Sequence, residues 1–180
     1  GKGAAFIGTG GSKMARVFRT EDYGQSWQVS STPLPAGPTS GIFGLRFWSK
    51  KNGIAVGGDY KKTTDSTQNV LLTTDGGITW TLAGMTKPTG LKESVAIYHK
   101  TNATWNGDTQ IRSDNYALVA SGPSGSSVSL DRGKSWISLG TEGFHSLSFA
   151  GNVGYGVGAN GLIGKIEKIS SKKKKKKLVL

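Results

Sequence analysis

Short runs in which apolar and polar positions alternate recur along the chain. Ile42-Phe43-Gly44-Leu45-Arg46-Phe47 is followed by the glycine-rich run Gly53-Ile54-Ala55-Val56-Gly57-Gly58. The pairing returns as Ser94-Val95-Ala96-Ile97-Tyr98 with Tyr116-Ala117-Leu118-Val119-Ala120-Ser121-Gly122. It returns again as Phe144-His145-Ser146-Leu147-Ser148-Phe149 with Gly154-Tyr155-Gly156-Val157-Gly158. A period of two places alternate side chains on opposite faces, the signature of half-buried strands. No stretch shows the longer apolar period of a helix, so the chain is predicted to be all-β.

An eight-residue pattern, Ser/Thr-x-Asp-x-Gly-x-Ser/Thr-Trp, punctuates these runs. It occurs as Thr20–Trp27, Thr73–Trp80 and Ser129–Trp136, with its aspartates 53 and 56 residues apart. Five recurring positions at near-even spacing make this a specific signal of repeat architecture. The pattern is that of an Asp box. Its aspartate can accept backbone N–H groups within a turn, and its glycine supplies the positive φ of a tight hairpin. The second Ser or Thr can bond back across the turn, and the tryptophan can wedge a large ring between neighbouring sheets. Asp22, Gly24, Trp27, Asp75, Gly77, Trp80, Asp131, Gly133 and Trp136 are therefore read as structural. One carboxylate per remote turn builds neither a calcium cage nor an acid/base pair.

Each unit reads as four antiparallel strands: an inner strand, a glycine-rich strand, a third strand, the box turn and a strand led by Trp. About fifty residues per four-stranded unit is the size of a β-propeller blade. The predicted fold is about 3.5 blades. Residues 1–32 supply three strands, 42–83 and 94–139 four each, and 144–169 three, with 170–180 as a lysine-rich tail. Rings usually have four or more blades. The chain is thus expected to be the C-terminal half of a six- or seven-bladed ring, and its first partner the N-terminal half of the same propeller.

Composition sharpens this in a few places. Twenty-eight glycines suit many short strands and tight turns. With no cysteine there is no disulfide, thiol nucleophile or Cys–zinc site, and no run reaches the ~18 apolar residues of a membrane span. The net charge of +12 suggests a polyanion partner, but six of those charges are Lys172 to Lys177. That run reads as a solvated tail or as the translated end of a message, so nucleic acid is disfavoured as a partner. Asn102-Ala103-Thr104 is a formal glycosylation triplet.

The loops joining second and third strands, which face away from the boxes, are the place for binding chemistry. Ser12, Lys13, Asp59, Tyr60, Lys61 and Ser124 are the candidate binding residues there. The insert between His99 and Asn115, carrying Trp105, lies on the box side. No catalytic constellation, metal site or cofactor site is predicted. Arg132 lies inside a box turn and Arg19 directly before one, so the arginines are not grouped to grip a substrate carboxylate. Asp59 and Asp65 share one loop and do not face each other across a cleft. His99 and His145 lie in different blades and read as hydrogen-bonded structural groups.

Several stretches carry a family resemblance: Gly10–Lys13, Gly41–Phe43, Asn52–Tyr60, Val119–Ser126 and Gly143–Ala150. Over roughly residues 4–167 the chain resembles BNR/Asp-box propellers of the photosystem II assembly factor-like family, in a non-photosynthetic branch. The resemblance implies a secreted or periplasmic, non-enzymatic propeller that binds a protein or another ligand. The alternative is a carbohydrate-active propeller, sialidase-like or glycan-binding, with its catalytic residues outside this chain. A glycan site needs aromatic platforms, and Tyr60 is the one clear candidate on the loop side.

Overall fold

A computed structural model describes residues 3–11, 13–83, 88, 90–99 and 116–167. Ser12, the 100–115 part of the insert and the lysine run lie outside the described residues. Among the described residues fourteen strands form four antiparallel sheets in chain order. The first sheet holds β1 (Ala5–Gly8), β2 (Met14–Thr20) and β3 (Gln28–Pro35). The second holds β4 (Ser40–Phe47), β5 (Gly53–Asp59), β6 (Val70–Thr73) and β7 (Thr81–Leu82). The third holds β8 (Ser94–His99), β9 (Tyr116–Gly122), β10 (Gly125–Ser129) and β11 (Ile137–Gly140). The fourth holds β12 (Ser146–Ala150), β13 (Val153–Val157) and β14 (Ile163–Ile166). Within each sheet the strands lie side by side in sequence order. Among the described residues the sole helical turn is Ala159–Gly161, and no helix is long and apolar enough to cross a membrane.

Alternation along the strands builds three cores, one at each junction. Ala55 and Leu71 turn toward the first sheet and join Ala15, Val17 and Leu34. Their neighbours Ile54, Val56 and Val70 turn the other way and join Val95, Leu118 and Ala120. The third sheet repeats the division, with Ala117, Val119 and Val128 packed on Phe144, Leu147 and Ile166 of the fourth. Middle strands buried on both faces explain the near-continuous apolar runs of β5 and β9. Glycine permits the close approach of inner strand to second strand. A Cβ on Gly57 would sit 2.0 Å from the Gly41 carbonyl oxygen.

One cross-strand pair marks the face that each sheet offers to the next. Gly8 lies opposite Val17, Val56 opposite Val70, Val119 opposite Val128 and Val157 opposite Ile163. The second and third pairs are buried beneath the following sheet, whereas Val157 and Ile163 are 49% and 64% exposed. The box tryptophans show the same asymmetry at the other end. Trp80 and Trp136 wedge against the preceding sheet at 5% and 8% exposure, but among the described residues no sheet lies on the Trp27 ring, which is 40% exposed. Burial of the box ring thus depends on a neighbouring sheet and not on the box itself.

Candidate functional site: the loop end of the sheets

The three boxes close their turns with one hydrogen-bond scheme. Thr20, Thr73 and Ser129 each donate a hydroxyl to the box aspartate, at 2.7, 2.8 and 2.8 Å. The same hydroxyl oxygens accept the N–H of Gly24, Gly77 and Gly133. The backbone N–H groups of Ser26, Thr79 and Ser135 donate to the same carboxylate oxygen, Oδ1, and their hydroxyls donate to the other, Oδ2, all at 2.5 Å. Each indole N–H then donates to the box glycine carbonyl, at 3.1–3.2 Å. The turn uses two successive positive φ values, so Tyr23 (62°) and Arg132 (65°) occupy a left-handed position that Gly76 fills in the second box.

These bonds stabilise the charged carboxylate. The Ser26 hydroxyl, aided by its N–H and by Thr20, lowers Asp22 to about 2. The Thr79 hydroxyl and N–H do the same for Asp75, also to about 2. At Asp131 burial pushes upward, but Ser135 and Ser129 outweigh it and the net direction is down. Each box carboxylate is engaged on both oxygens by its own turn.

The hairpins joining second and third strands gather at the opposite end. Two bonds tie them across junctions, Gly11 N–H to the Ser40 carbonyl (3.3 Å) and Leu91 N–H to the Thr63 carbonyl (2.8 Å), while Tyr60 N–H to the Thr39 carbonyl (3.1 Å) extends the β4–β5 ladder. Asp59 and Tyr60 meet the linker between the first two sheets. Asp59 accepts the Lys61 N–H at 2.9 Å. That bond, with the Thr39 side chain and the nearby Lys62 and Lys61 charges, lowers its carboxyl below the usual range. Tyr60 stays exposed, its hydroxyl 3.5 Å from the Pro38 carbonyl. Ser124 lies at the other side of the same long loop and donates to the Thr63 carbonyl. Asp59 and Ser124 thus help shape the loop end, while the candidates Lys13, Tyr60 and Lys61 are exposed there.

Two features here escaped sequence reasoning. Superposing the repeat places Ile42, Lys92 and Phe144 at one position, each buried within or just before the inner strand of its sheet. Lys92 is fully buried and donates its ammonium to the Gly125 carbonyl at 2.7 Å. Burial lowers its pKa to about 8. The next repeat position holds Phe43, Glu93 and His145, and His145 Nδ1 pairs with Glu93 Oε2 across the junction of the third and fourth sheets. The pairing fits the reading of His145 as a hydrogen-bonded group. His99 differs, because its Nδ1 is buried with no hydrogen-bond partner among the described residues. The repeat alignment is the signal that would have flagged Lys92, since an isolated lysine between apolar equivalents is out of pattern.

Residues 71–82, from β6 through the second box into β7, match the BNR/Asp-box repeat model. That repeat is found in propeller proteins, sialidases among them. No curated protein matches the chain.

Proposed function

We propose that the four sheets are part of an Asp-box propeller of the photosystem II assembly factor-like type, acting in a secreted or periplasmic setting as a non-enzymatic binding module. In this reading further Asp-box sheets cover the Trp27 face and the Val157–Ile163 face and complete the ring. One observation carries it: every box carboxylate is engaged by its own turn, while Lys13, Tyr60 and Lys61 stand exposed at the opposite end, on loops braced across the sheet junctions. Rigidly held loops with mixed polar and aromatic side chains suit recognition of a protein surface.

The test sets two assays side by side, each on the wild type and on a Y60A/K61E double variant. One is a sialoside hydrolysis assay with a glycan array; the other is crosslinking capture from the secreted fraction. The reading expects no turnover and a captured protein that the double variant loses. Sialoside turnover, or glycan binding that depends on Tyr60, would replace it with the carbohydrate-active reading.

A further inference from the structure

The first and second sheets meet at the loop end through three glycines. Gly41, near the start of β4, pairs with Gly58 of β5 on one edge and with Gly10 of the β1–β2 hairpin on the other. A Cβ on Gly41 would stand 2.3 Å from the Gly10 Cα, so the two backbones approach this closely only without one. The hairpin carrying Lys13 and the loop that follows β5 therefore flank a single strand. At ordinary strand spacing Gly10 and Gly58 lie ~10 Å apart. Lys13 is exposed on one side of that strand, and Tyr60, Lys61 and Lys62 are exposed on the other.

The loop after β5 is held by its own bonds. Lys62 N–H donates to the Asp59 carbonyl (2.9 Å) and Asp65 N–H to the Lys62 carbonyl (3.0 Å). Gly90 N–H, from the linker to the third sheet, donates to the Ser66 hydroxyl at 2.7 Å. Both carboxylates of the loop also serve it. Asp59 accepts the Lys61 N–H at 2.9 Å, and Asp65 accepts the N–H and the hydroxyl of Thr67 at 2.9 and 2.7 Å. The cations are not used in this way: among the described residues no ion pair engages Lys13, Lys61 or Lys62. The junction thus holds its acceptors inward and offers ammonium donors outward, around one exposed aromatic ring. A partner that fits must bring acceptors, and charged acceptors answer charged donors best.

We propose that this junction binds a carboxylate-rich peptide segment of a partner protein, with acidic side chains at Lys13, Lys61 and Lys62 and an apolar side chain on the Tyr60 ring. The inference rests on the binding-module reading and names the chemistry of the partner. Asp59 and Asp65 favour a peptide over a uniform polyanion. A chain of evenly spaced phosphates or sulfates would meet these carboxylates beside the lysines, whereas a peptide can set neutral residues against them. A loop already braced in one conformation also keeps the ordering cost of binding low.

The test uses the full chain and three labelled synthetic peptides of equal length and equal apolar content, one rich in Glu, one in Ser and one in Lys. Binding is read by fluorescence anisotropy for the wild type, K61Q/K62Q, K61E/K62E and Y60A, each checked by thermal unfolding for an unchanged midpoint. The lysine run Lys172 to Lys177 is common to all four proteins, so the differences between them read the loop alone. The Glu-rich peptide should bind tightest, and more weakly as salt rises. K61Q/K62Q should weaken it several-fold and K61E/K62E by about tenfold or more, and Y60A should weaken it at every salt concentration. Binding of the Glu-rich peptide that survives K61E/K62E, or heparin that outcompetes it on the wild type but not on K61E/K62E, would overturn the proposal. A Ser-rich or Lys-rich peptide held tighter through Tyr60 would overturn the acidic class and leave the binding-module reading standing. Sialoside turnover would overturn that reading, and this inference with it.

Discussion

The Thr79 hydroxyl donates to Asp75 Oδ2 at 2.5 Å while the Thr79 N–H reaches Asp75 Oδ1 at 3.0 Å, so one residue grips both carboxylate oxygens of its neighbour four positions back. The same grip links Ser26 to Asp22 and Ser135 to Asp131. It makes the fold acid-sensitive in a defined window. A carboxyl whose pKa is lower in the folded state gives stability that is complete above its unfolded value and lost as pH falls through the folded value. For Asp22 and Asp75 that window runs from 3.8 down to about 2. Thermal unfolding between pH 5 and pH 2 should show a falling midpoint, and Asp75→Asn should flatten part of the slope. A midpoint unchanged across that range would contradict the role given to the boxes.

The tryptophans separate the box from its neighbour. Trp80→Ala empties a site between two sheets and should destabilise the chain by about 3–5 kcal/mol. Trp27→Ala removes a ring that no sheet among the described residues covers, and should cost under ~1 kcal/mol. Denaturant unfolding of the two variants measures the contrast, and equal losses would mean that the ring acts through its own turn.

Lys92 gives the opposite pH sign to the aspartates. Its folded pKa lies below its unfolded value, so the charged form is disfavoured by folding and stability rises as pH climbs from about 8 to 10.5. Lys92→Met places an apolar chain where the repeat has Ile42 and Phe144, and should stabilise by ~2 kcal/mol at pH 7 while removing that rise. A variant less stable than wild type at pH 7 would show that the bond to Gly125 outweighs desolvation.

Tyr23 holds a φ of 62° where the second box has Gly76. A non-glycine residue there costs roughly 1 kcal/mol, partly offset by the freedom that glycine gains in the unfolded chain. Tyr23→Gly should raise the melting temperature by a few degrees. A lower melting temperature would mean that contact between the Tyr23 ring and the Gly3 backbone matters more than the backbone angle.

The strands and box turns were legible because both are local. Alternation fixes which side chains share a face, and Asp, Gly and Ser/Thr within eight residues complete the turn by themselves. Burial was legible only where the neighbouring sheet is present, so Trp27 reads the same as Trp80 in sequence and differs in space. Lys92 escaped because a lysine at a strand entrance ordinarily points into water, and only its place among Ile42 and Phe144 shows otherwise. At the loop end the residue types were read from sequence. The division between Asp59 and Ser124, which brace the loops, and Lys13, Tyr60 and Lys61, which are exposed, depends on contacts between segments far apart in the chain.

The central claim is that the second and third sheets are covered on both faces while the first and fourth each keep one open. Amide hydrogen exchange across the chain tests it most directly. The account predicts that β5 and β9 exchange slowest, with β2 and β13 faster by about two orders of magnitude. If β2 and β13 proved as protected as β5 and β9, the faces bearing Trp27 and Val157–Ile163 would already be covered, and the unfinished-propeller reading would be wrong.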